Sequence, residues 1–202
     1  MIRPATVDAS TGFRYYARDQ AGAADLHELN HLLTDNLELT MSTPQPAEEI
    51  LTRDGERQLA ARLFNAVWEL LEAEDRSTAD DDRMLHMAHA SRYHWGQVGS
   101  AAQLARGEWQ CSRVYAALRR TEPCLHHAQR VLDICEAAGI GDFDLAFAFE
   151  ALARGHAIAG DAQRARALTE RSLAAAEQIA DDEDRKLLLA DLDTIPGQAK
   201  FW

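Results

Sequence analysis

One stretch of the sequence has a spacing that is typical of metal chemistry, H-E-x-x-H from His27 to His31. On a helix this spacing places two imidazoles one turn apart, and the glutamate can activate a metal-bound water. A catalytic zinc needs a third protein ligand, and no further histidine follows at the spacing of the longer zinc-hydrolase motif. Glu48 and Glu49 are conceivable ligands, but they lie beyond two prolines. A zinc-dependent hydrolase is therefore the weakest of three functional hypotheses, and we predict no cofactor.

The other histidines and cysteines form weaker groups. His86 and His89 lie one helical turn apart with His94 further along, and Cys124 shares a face with His127. Neither group offers three well-spaced metal ligands with residues behind them to orient the rings. The sequence also has no P-loop, no G-x-G-x-x-G and no Ser-His-Asp motif, so we predict that the chain is not an enzyme.

Composition indicates which elements must position these residues. The chain has 202 residues, of which 47% are hydrophobic and 27% charged, a balance that indicates one substantial globular domain with room for a small appendage. From residue 46 onward Ala, Leu, Glu, Asp and Arg dominate, and all of these except Asp favour helices. The net charge of -12 argues against a repeat surface that coats nucleic acid or an anionic membrane.

Localisation signals are few. No apolar run approaches the ~18–20 residues that span a bilayer, and the N-terminus lacks the apolar core of a secretory signal. The three cysteines, Cys111, Cys124 and Cys135, are an odd set without C-x-x-C. Such a set is typical of reduced, buried thiols. The sequence therefore predicts a cytoplasmic protein with no membrane partner.

Hydrophobic periodicity predicts helices along most of the chain. The first covers residues 24–39, and a linker with two prolines at 41–46 ends it. Its apolar face carries four leucines, Leu26, Leu29, Leu32 and Leu33. The later helices are predicted at 47–75, 80–98, 100–119, 122–138, 142–159, 161–180 and 182–193.

Local signals predict where these helices begin. The acidic run at 80–82, Ser100, Asp142 and Asp161 are candidate N-terminal caps, the last three each following a glycine. Pro123 falls in a first turn, where its missing N–H costs nothing.

A shift of 41 residues aligns successive helix pairs. Leu70, Cys111 and Leu152 fall in one column, and Leu132 aligns with Leu173 in the second helices. The pairs are 47–75 with 80–98, 100–119 with 122–138, and 142–159 with 161–180. Helix 182–193 would then cap the last apolar face.

The third pair carries residues of a known repeat pattern. Phe149 stands at the bulky position of this pattern, Leu152 at the leucine and Ala153 at the first small position. His156 stands at the aromatic position and Gly160-Asp161 at the turn. Ala165 and Ser172 stand at the two later small positions. This pattern resembles a tetratricopeptide repeat, although the spacing of 41 exceeds the family's ~34. The resemblance implies an all-α fold, a right-handed stack of antiparallel helix pairs over 47–193. A short N-terminal arm precedes this tetratricopeptide-like solenoid, and a tail at 194–202 follows it.

In such repeats the first helices line a concave groove, and the 41-residue shift predicts which side chains face it. Aromatic side chains with arginines are typical of peptide-binding surfaces, because they combine area with directional hydrogen bonds. The alternative is that the tryptophans belong to the core and the arginines pair with nearby acids. The nine candidates are Asn65, Trp68, Glu72, Arg106, Trp109, Arg113, Phe147, Glu150 and Arg154.

Two further aromatic groups need an explanation. Tyr93, His94 and Trp95 are consecutive, and we expect them to pack in the core rather than to contact a ligand. Phe201 and Trp202 form an apolar tip at the end of the chain. Because short solenoids expose terminal apolar faces, homodimerisation through this tip is a further hypothesis.

The N-terminal arm differs in character from the repeats. Residues 2–20 include Ile2-Arg3-Pro4, Asp8, the run Thr11 to Tyr16 (TGFRYY) and Gln20. They resemble the wing of MerR-type transcription regulators, and the likeness fades over the next 20 residues. In that family the wing contacts DNA phosphates, which implies Arg14 and Tyr15 as the contacting residues. The family's helix-turn-helix precedes this segment, and the chain begins after it.

Three functions follow from these patterns. The leading one is a non-catalytic module that binds a protein or peptide, and the second is the ligand-sensing effector part of a truncated MerR-like regulator. The third is the zinc-dependent hydrolase. For residues 1–40, a remnant of such a regulator and a true start at Met41 both remain open.

Overall fold

The computed structural model describes residues 51–202, which form seven α-helices and no strand. The all-α class predicted from the sequence is therefore confirmed for this range. Residues 1–50, with the predicted wing, the helix at 24–39 and the H-E-x-x-H motif, lie outside it. The helices are α1 (Arg53–Glu72), α2 (Thr78–Val98), α3 (Ala101–Ala117), α4 (Thr121–Ala138), α5 (Asp142–Ile158), α6 (Ala162–Ala176) and α7 (Asp182–Asp193).

Most helix starts follow the predicted signals. Ser100 caps α3 in a reciprocal capping box with Gln103, and the Asp161 carboxylate accepts a hydrogen bond from the Arg164 N–H at the start of α6. Pro123 lies in the first turn of α4. Gly139 ends α4 in the left-handed conformation, with φ of 65°.

Predicted boundaries were wrong at both ends of α1, at the start of α2 and at the end of α6, which stops at Ala176 rather than at 180. Helix α1 begins at Arg53 behind a Thr52 cap and ends at Glu72, where the Arg76 guanidinium donates to the carbonyls of Leu70, Leu71 and Ala73. Helix α2 begins at Thr78 rather than 80. Its cap is Ser77, and Asp80 is the third residue of the capping box and not the cap itself.

The predicted cap at Asp142 was also wrong. Gly141 occupies the cap position of α5 without a side-chain hydrogen bond. Asp142 is the first helical residue, with φ of 53°, and its carboxylate accepts from the Ala180 N–H at 3.3 Å. The aspartate therefore ties the start of α5 to the segment after α6.

Each helix packs against the next one in the chain, and the odd-numbered helices also pack against one another in the order α1, α3, α5, α7. The starts of α3 and α5 are 41 residues apart, as are the starts of α4 and α6. Glycine permits one close contact, since a Cβ on Gly155 of α5 would meet Leu125 of α4 at 2.6 Å.

Buried polar side chains fasten neighbouring helices through backbone carbonyls. The Ser91 hydroxyl of α2 donates to the Ala60 carbonyl of α1 at 2.8 Å, and the Gln110 amide of α3 donates to the Phe64 carbonyl, also at 2.8 Å. The Ser172 hydroxyl of α6 donates to the Ala146 carbonyl of α5 at 2.9 Å. These bonds fix the rotation of each helix against its neighbour, because both partners are buried.

The main core lies around α5 and includes apolar residues of α3, α4 and α7. The consecutive residues Tyr93, His94 and Trp95 lie on α2. Trp95 is buried, as predicted, and His94 pairs with Glu56 of α1. Tyr93 is 63% exposed, so its predicted place in the core was wrong. It lies on the side of α2 away from Trp95.

The last residues fold back onto the helices. Ile195 is buried, Trp202 packs against the main core, and Phe201 lies under the Arg166 guanidinium at 4.4 Å. Within residues 51–202 no helix is long and apolar enough to cross a membrane.

Candidate functional site

An aromatic row crosses three successive odd-numbered helices, and it consists of Trp68, Trp109 and Phe147. The ring centroids of Trp68 and Trp109 are 5.5 Å apart, and those of Trp109 and Phe147 are also 5.5 Å apart in an edge-to-face arrangement. Such offset and edge-on contacts suit the ring quadrupoles. Phe143, one turn before Phe147, extends the row with a centroid distance of 4.5 Å. Three predicted candidates thus form one continuous aromatic row. Trp109 and Phe147 are buried in the main core and Trp68 packs against it, as the core alternative predicted for the tryptophans.

A buried charge cluster lies beside this row and consists of Arg113, Glu150, Arg154 and Asp191. The Glu150 carboxylate accepts from Arg154 Nε at 2.7 Å and is paired with Arg113 at 3.4 Å. Arg113 also donates to Asp191 of α7 at 3.1 Å. The Trp109 Nε1–H donates to Glu150 at 3.2 Å and so joins the aromatic row to the cluster. Two arginines and two carboxylates balance each other's charge.

Arg154 also holds the end of the last helix. Its Nη2 donates to the Asp191 carbonyl and to the Thr194 hydroxyl, each at 2.8 Å. Burial lowers the pKa of Arg154, an effect that the charge of Arg113 reinforces and the nearby carboxylates oppose. The described contacts confirm the alternative that Arg113 and Arg154 pair with nearby acids.

Arg106 lies at the other end of the aromatic row. Its guanidinium binds both carboxylate oxygens of Asp144 in α5, at 2.8 and 3.0 Å. It also approaches the Phe143 ring at 6.0 Å. A small pocket opens here between α3, α4 and α5, lined by Ala105, Arg106, Trp109, Val131, Phe143, Asp144 and Phe147.

The two remaining candidates lie on α1. Asn65 is half-buried, and Glu72 is exposed in the last turn. Six of the nine candidates are therefore joined in the aromatic row or the charge cluster, and Arg106 adjoins them through Phe143. Whether they receive a partner stays a prediction.

A second polar site was missed by the sequence analysis, and we call it the Glu108 cluster. The buried Glu108 carboxylate of α3 accepts from Arg92 of α2 at 2.9 Å and from Arg130 of α4 at 2.9 Å. His127 of α4 completes the cluster at 2.6 Å. Burial raises the pKa of Glu108, but the hydrogen bonds from His127 and Arg130 and the charge of Arg92 lower it overall to about 2.

Two rings extend the Glu108 cluster toward α2. His89 Nε2 lies 2.9 Å from the Tyr115 hydroxyl, and the His127 ring stacks on Tyr115 with centroids 5.5 Å apart. Burial lowers the pKa of His89, and the charge of His127 lowers it further. Within residues 51–202 no group of three or more histidine, cysteine or acidic side chains is arranged to hold a metal ion.

One sequence signal could have indicated the Glu108 cluster. Gly107 stands in the middle of α3 beside the glutamate, where a glycine weakens a helix. A Cβ at Gly107 would meet the Arg92 side chain at 2.8 Å, so the glycine makes room for that arginine to reach Glu108.

Comparison of the chain with known protein families, curated proteins and solved structures does not identify it. No family model matches it, and neither the curated proteins nor the solved structures include a significant match.

Proposed function

We propose that the chain is a non-catalytic, tetratricopeptide-like helical-repeat module that binds a protein or peptide segment across its odd-numbered helices. The consecutive packing of α1, α3, α5 and α7, each followed by an even-numbered partner, supports this proposal. The 41-residue offset between the second and third helix pairs supports it further. Binding is to the concave side of a right-handed stack.

The observation that carries the proposal is the aromatic row, which has an arginine on either side of its middle member along α3. Trp68, Trp109 and Phe147 come from three different helices, yet their rings form one surface. Arg106 and Arg113 lie on the same helix as Trp109, three residues before it and four after it. A row that runs across helices suits an extended or helical segment better than a small molecule, because it offers area in one direction.

The aromatic row sets the chemistry of the partner. Because Trp68, Trp109 and Phe147 are aromatic, the partner class is a segment rich in leucine or aromatic residues.

Selection of random 16-residue peptides on the immobilised full chain tests the proposal. We expect enrichment of peptides that are rich in leucine or aromatic residues, and at least a tenfold loss of affinity in Trp68→Leu and in Arg106→Gln. Tyr93→Ala is the matched control, since Tyr93 is an exposed aromatic on another face. Circular dichroism establishes that each variant is folded.

Two results would contradict the proposal. One is the absence of any enriched peptide, and the other is enriched peptides whose affinity depends on Tyr93 and not on Trp68 or Arg106. Either result would place binding away from the aromatic row.

Self-association and location belong to the same proposal. Homodimerisation would use Phe201, which is 37% exposed, and a monomeric mass in light scattering would exclude it. The cytoplasmic location is supported by Cys111, Cys124 and Cys135, which are free, buried thiols.

The two other functions depend on residues outside the described range. The effector part of a MerR-like regulator and the hydrolase through His27 and His31 stay predictions. An upstream, in-frame helix-turn-helix in the neighbouring DNA would favour the first, and about one zinc per purified chain would favour the second.

A further inference from the structure

Helices α2 and α4 both pack against α3, but only side chains join them to each other. No Cα atom of α2 lies within 8 Å of a Cα atom of α4 in the described helices. The Glu108 cluster crosses this gap, together with His89 of α2 and Tyr115 of α3, and we call these six residues the α2–α4 bridge. The ring centroids of His89 and His127 are 5.2 Å apart in the bridge. A change of charge on these two rings therefore acts directly between the two helices.

The two imidazoles differ in their partners. His127 Nδ1 lies 2.6 Å from the Glu108 carboxylate, so a positive charge on this ring has a counter-ion. His89 Nε2 lies 2.9 Å from the Tyr115 hydroxyl, which is a neutral partner. A neutral imidazole can accept this hydroxyl at Nε2, whereas an imidazolium has no acceptor nitrogen. A positive charge on His89 would thus have a neutral partner and a cationic neighbour.

Glu108 is the carboxylate of the bridge, and two arginines already share it. Arg92 and Arg130 each donate to it at 2.9 Å. With both rings protonated, two arginines and two imidazolium rings would surround this carboxylate. His86 of α2 adds to the positive charge around His89, since its charge also opposes protonation of that ring.

The surrounding charges compensate one another or face solvent. His126 and Asp133 of α4 are exposed, and Asp133 acts on Arg130. The other charged groups of the packed helices come in pairs of opposite sign, which are Arg120 with Glu122 beside Tyr115, Glu56 of α1 with His94, and Glu150 of α5 with Arg154. Protonation of the two rings therefore leaves an excess of positive charge inside the bridge.

We propose that joint protonation of His89 and His127 drives α2 away from α4, so that the α2–α4 bridge is a proton-operated switch. In the neutral state the two rings meet at a steep angle and Tyr115 binds His89. In the charged state the repulsion between the rings is relieved when the helices separate. The aromatic row takes no part in the switch, so this inference goes beyond the proposed peptide binding and does not depend on it.

The groups that titrate set the pH range of the switch. Burial and the charge of His127 lower the pKa of His89 below 6.5, so His89 takes up its proton below that pH. The pKa of Glu108 is lowered to about 2, so its carboxylate stays ionised down to pH 5. Opening between pH 7.5 and pH 5 therefore reports the imidazoles and not the carboxylate.

Distances between two spin labels on the full chain test the switch. Tyr93→Cys with Gln129→Cys places labels at exposed positions of α2 and α4 outside the bridge, and Gln58→Cys with Tyr93→Cys is a reference pair on α1 and α2. The three native cysteines are buried, and mass spectrometry verifies that only two labels are attached. From pH 7.5 to pH 5 we expect the α2–α4 distance to lengthen by about 5 Å or more, roughly one helical turn. The reference distance should stay constant.

Two single variants decide whether the imidazoles cause the movement. His89→Gln and His127→Gln each remove one of the two charges, and either should abolish the lengthening because the repulsion needs both rings. His126→Gln is the matched control, since His126 is exposed beside His127 and lies outside the bridge. We expect this control to lengthen as the parent chain does.

Three results would overturn the switch. One is an α2–α4 distance that stays constant down to pH 5 in the parent chain, and another is a lengthening that persists in His89→Gln or in His127→Gln. The third is a lengthening that accompanies a loss of helical circular dichroism, because unfolding of α2 would then explain it. If His127→Gln fails to fold at pH 7.5, His89→Gln decides alone, since its partner is a hydroxyl and not the buried carboxylate.

Discussion

Glu108 is the buried carboxylate on which three cationic or titratable side chains converge. We expect Glu108→Gln to lower the free energy of unfolding by about 3–5 kcal/mol, because Arg92 and Arg130 would keep their charges without a counter-ion. Urea unfolding measures the change. Glu170→Gln is the control, since its pair with Arg166 is exposed and should contribute less than about 1 kcal/mol. Equal effects of the two substitutions would show that the Glu108 cluster adds no special stability.

The Glu108 cluster also has a predictable acid response. The pKa of Glu108 is lowered in the folded chain to about 2, from 4.5 for a free glutamate, so the folded state binds fewer protons than the unfolded state. This stabilisation is complete above pH 4.5 and is lost as the pH falls toward 2. In Glu108→Gln the acid dependence of the unfolding free energy should be shallower over this interval. An unchanged slope would contradict the depressed pKa.

His89 predicts a separate response nearer neutral pH. Burial and the charge of His127 lower its pKa below 6.5, so its contribution to stability is complete above pH 6.5 and falls as the pH drops below that value. In His89→Gln the midpoint temperature of unfolding should change less between pH 7 and pH 5 than in the parent chain.

His156 of α5 also has a pKa that burial lowers. His156→Gln should reduce the same pH dependence of the midpoint temperature by an amount that adds to the effect of His89→Gln.

At the scale of elements, the buried Arg154 side chain of α5 binds the end of α7. Arg154→Met removes the hydrogen bonds to the Asp191 carbonyl and the Thr194 hydroxyl. It also leaves Glu150 and Asp191 with Arg113 as the one remaining cation of the charge cluster. We expect the free energy of unfolding to fall by about 3–5 kcal/mol. Amide exchange should become faster mainly in α7. Arg166→Met, in an exposed pair, should leave α7 exchange unchanged.

The helices themselves were largely predictable, because their signals are local. Apolar periodicity placed all seven helices of the described range, and Ser100, Pro123 and Asp161 lie at predicted helix starts. Errors arose where a distant or unusual contact decides a boundary. At the end of α1, Arg76 donates to carbonyls three to six residues earlier, a contact that apolar periodicity does not indicate.

The candidate site was predictable in part, for the same reason. The 41-residue repeat placed Trp109 and Glu150 in one column, and their side chains are hydrogen-bonded across two helices. The 41-residue repeat does not relate the members of the Glu108 cluster to one another. It joins residues 16 to 22 positions apart in sequence, and their convergence depends on the rotation of α2, α3 and α4 against one another.

At the scale of the whole molecule, the stack of helix pairs proposed above should lose its ends independently. In such proteins each unit contacts its neighbours only, so stability is nearly a sum of local terms. Leu188 of α7 and Met84 of α2 are both fully buried and lie in separate core clusters. Truncation of either to alanine should cost about 2–5 kcal/mol.

Hydrogen exchange distinguishes the two arrangements that fit these contacts. With nearest-neighbour coupling, Leu188→Ala should speed amide exchange in α7 and leave α1 and α2 protected, whereas Met84→Ala should do the reverse. A single cooperative core would instead lose protection everywhere in both variants. The row of odd-numbered helices makes the first outcome the expected one, because α1 and α7 are linked only through α3 and α5 among the described contacts. Under that outcome, the aromatic and charged candidates on α3 and α5 would stay ordered while either end of the described helices opens.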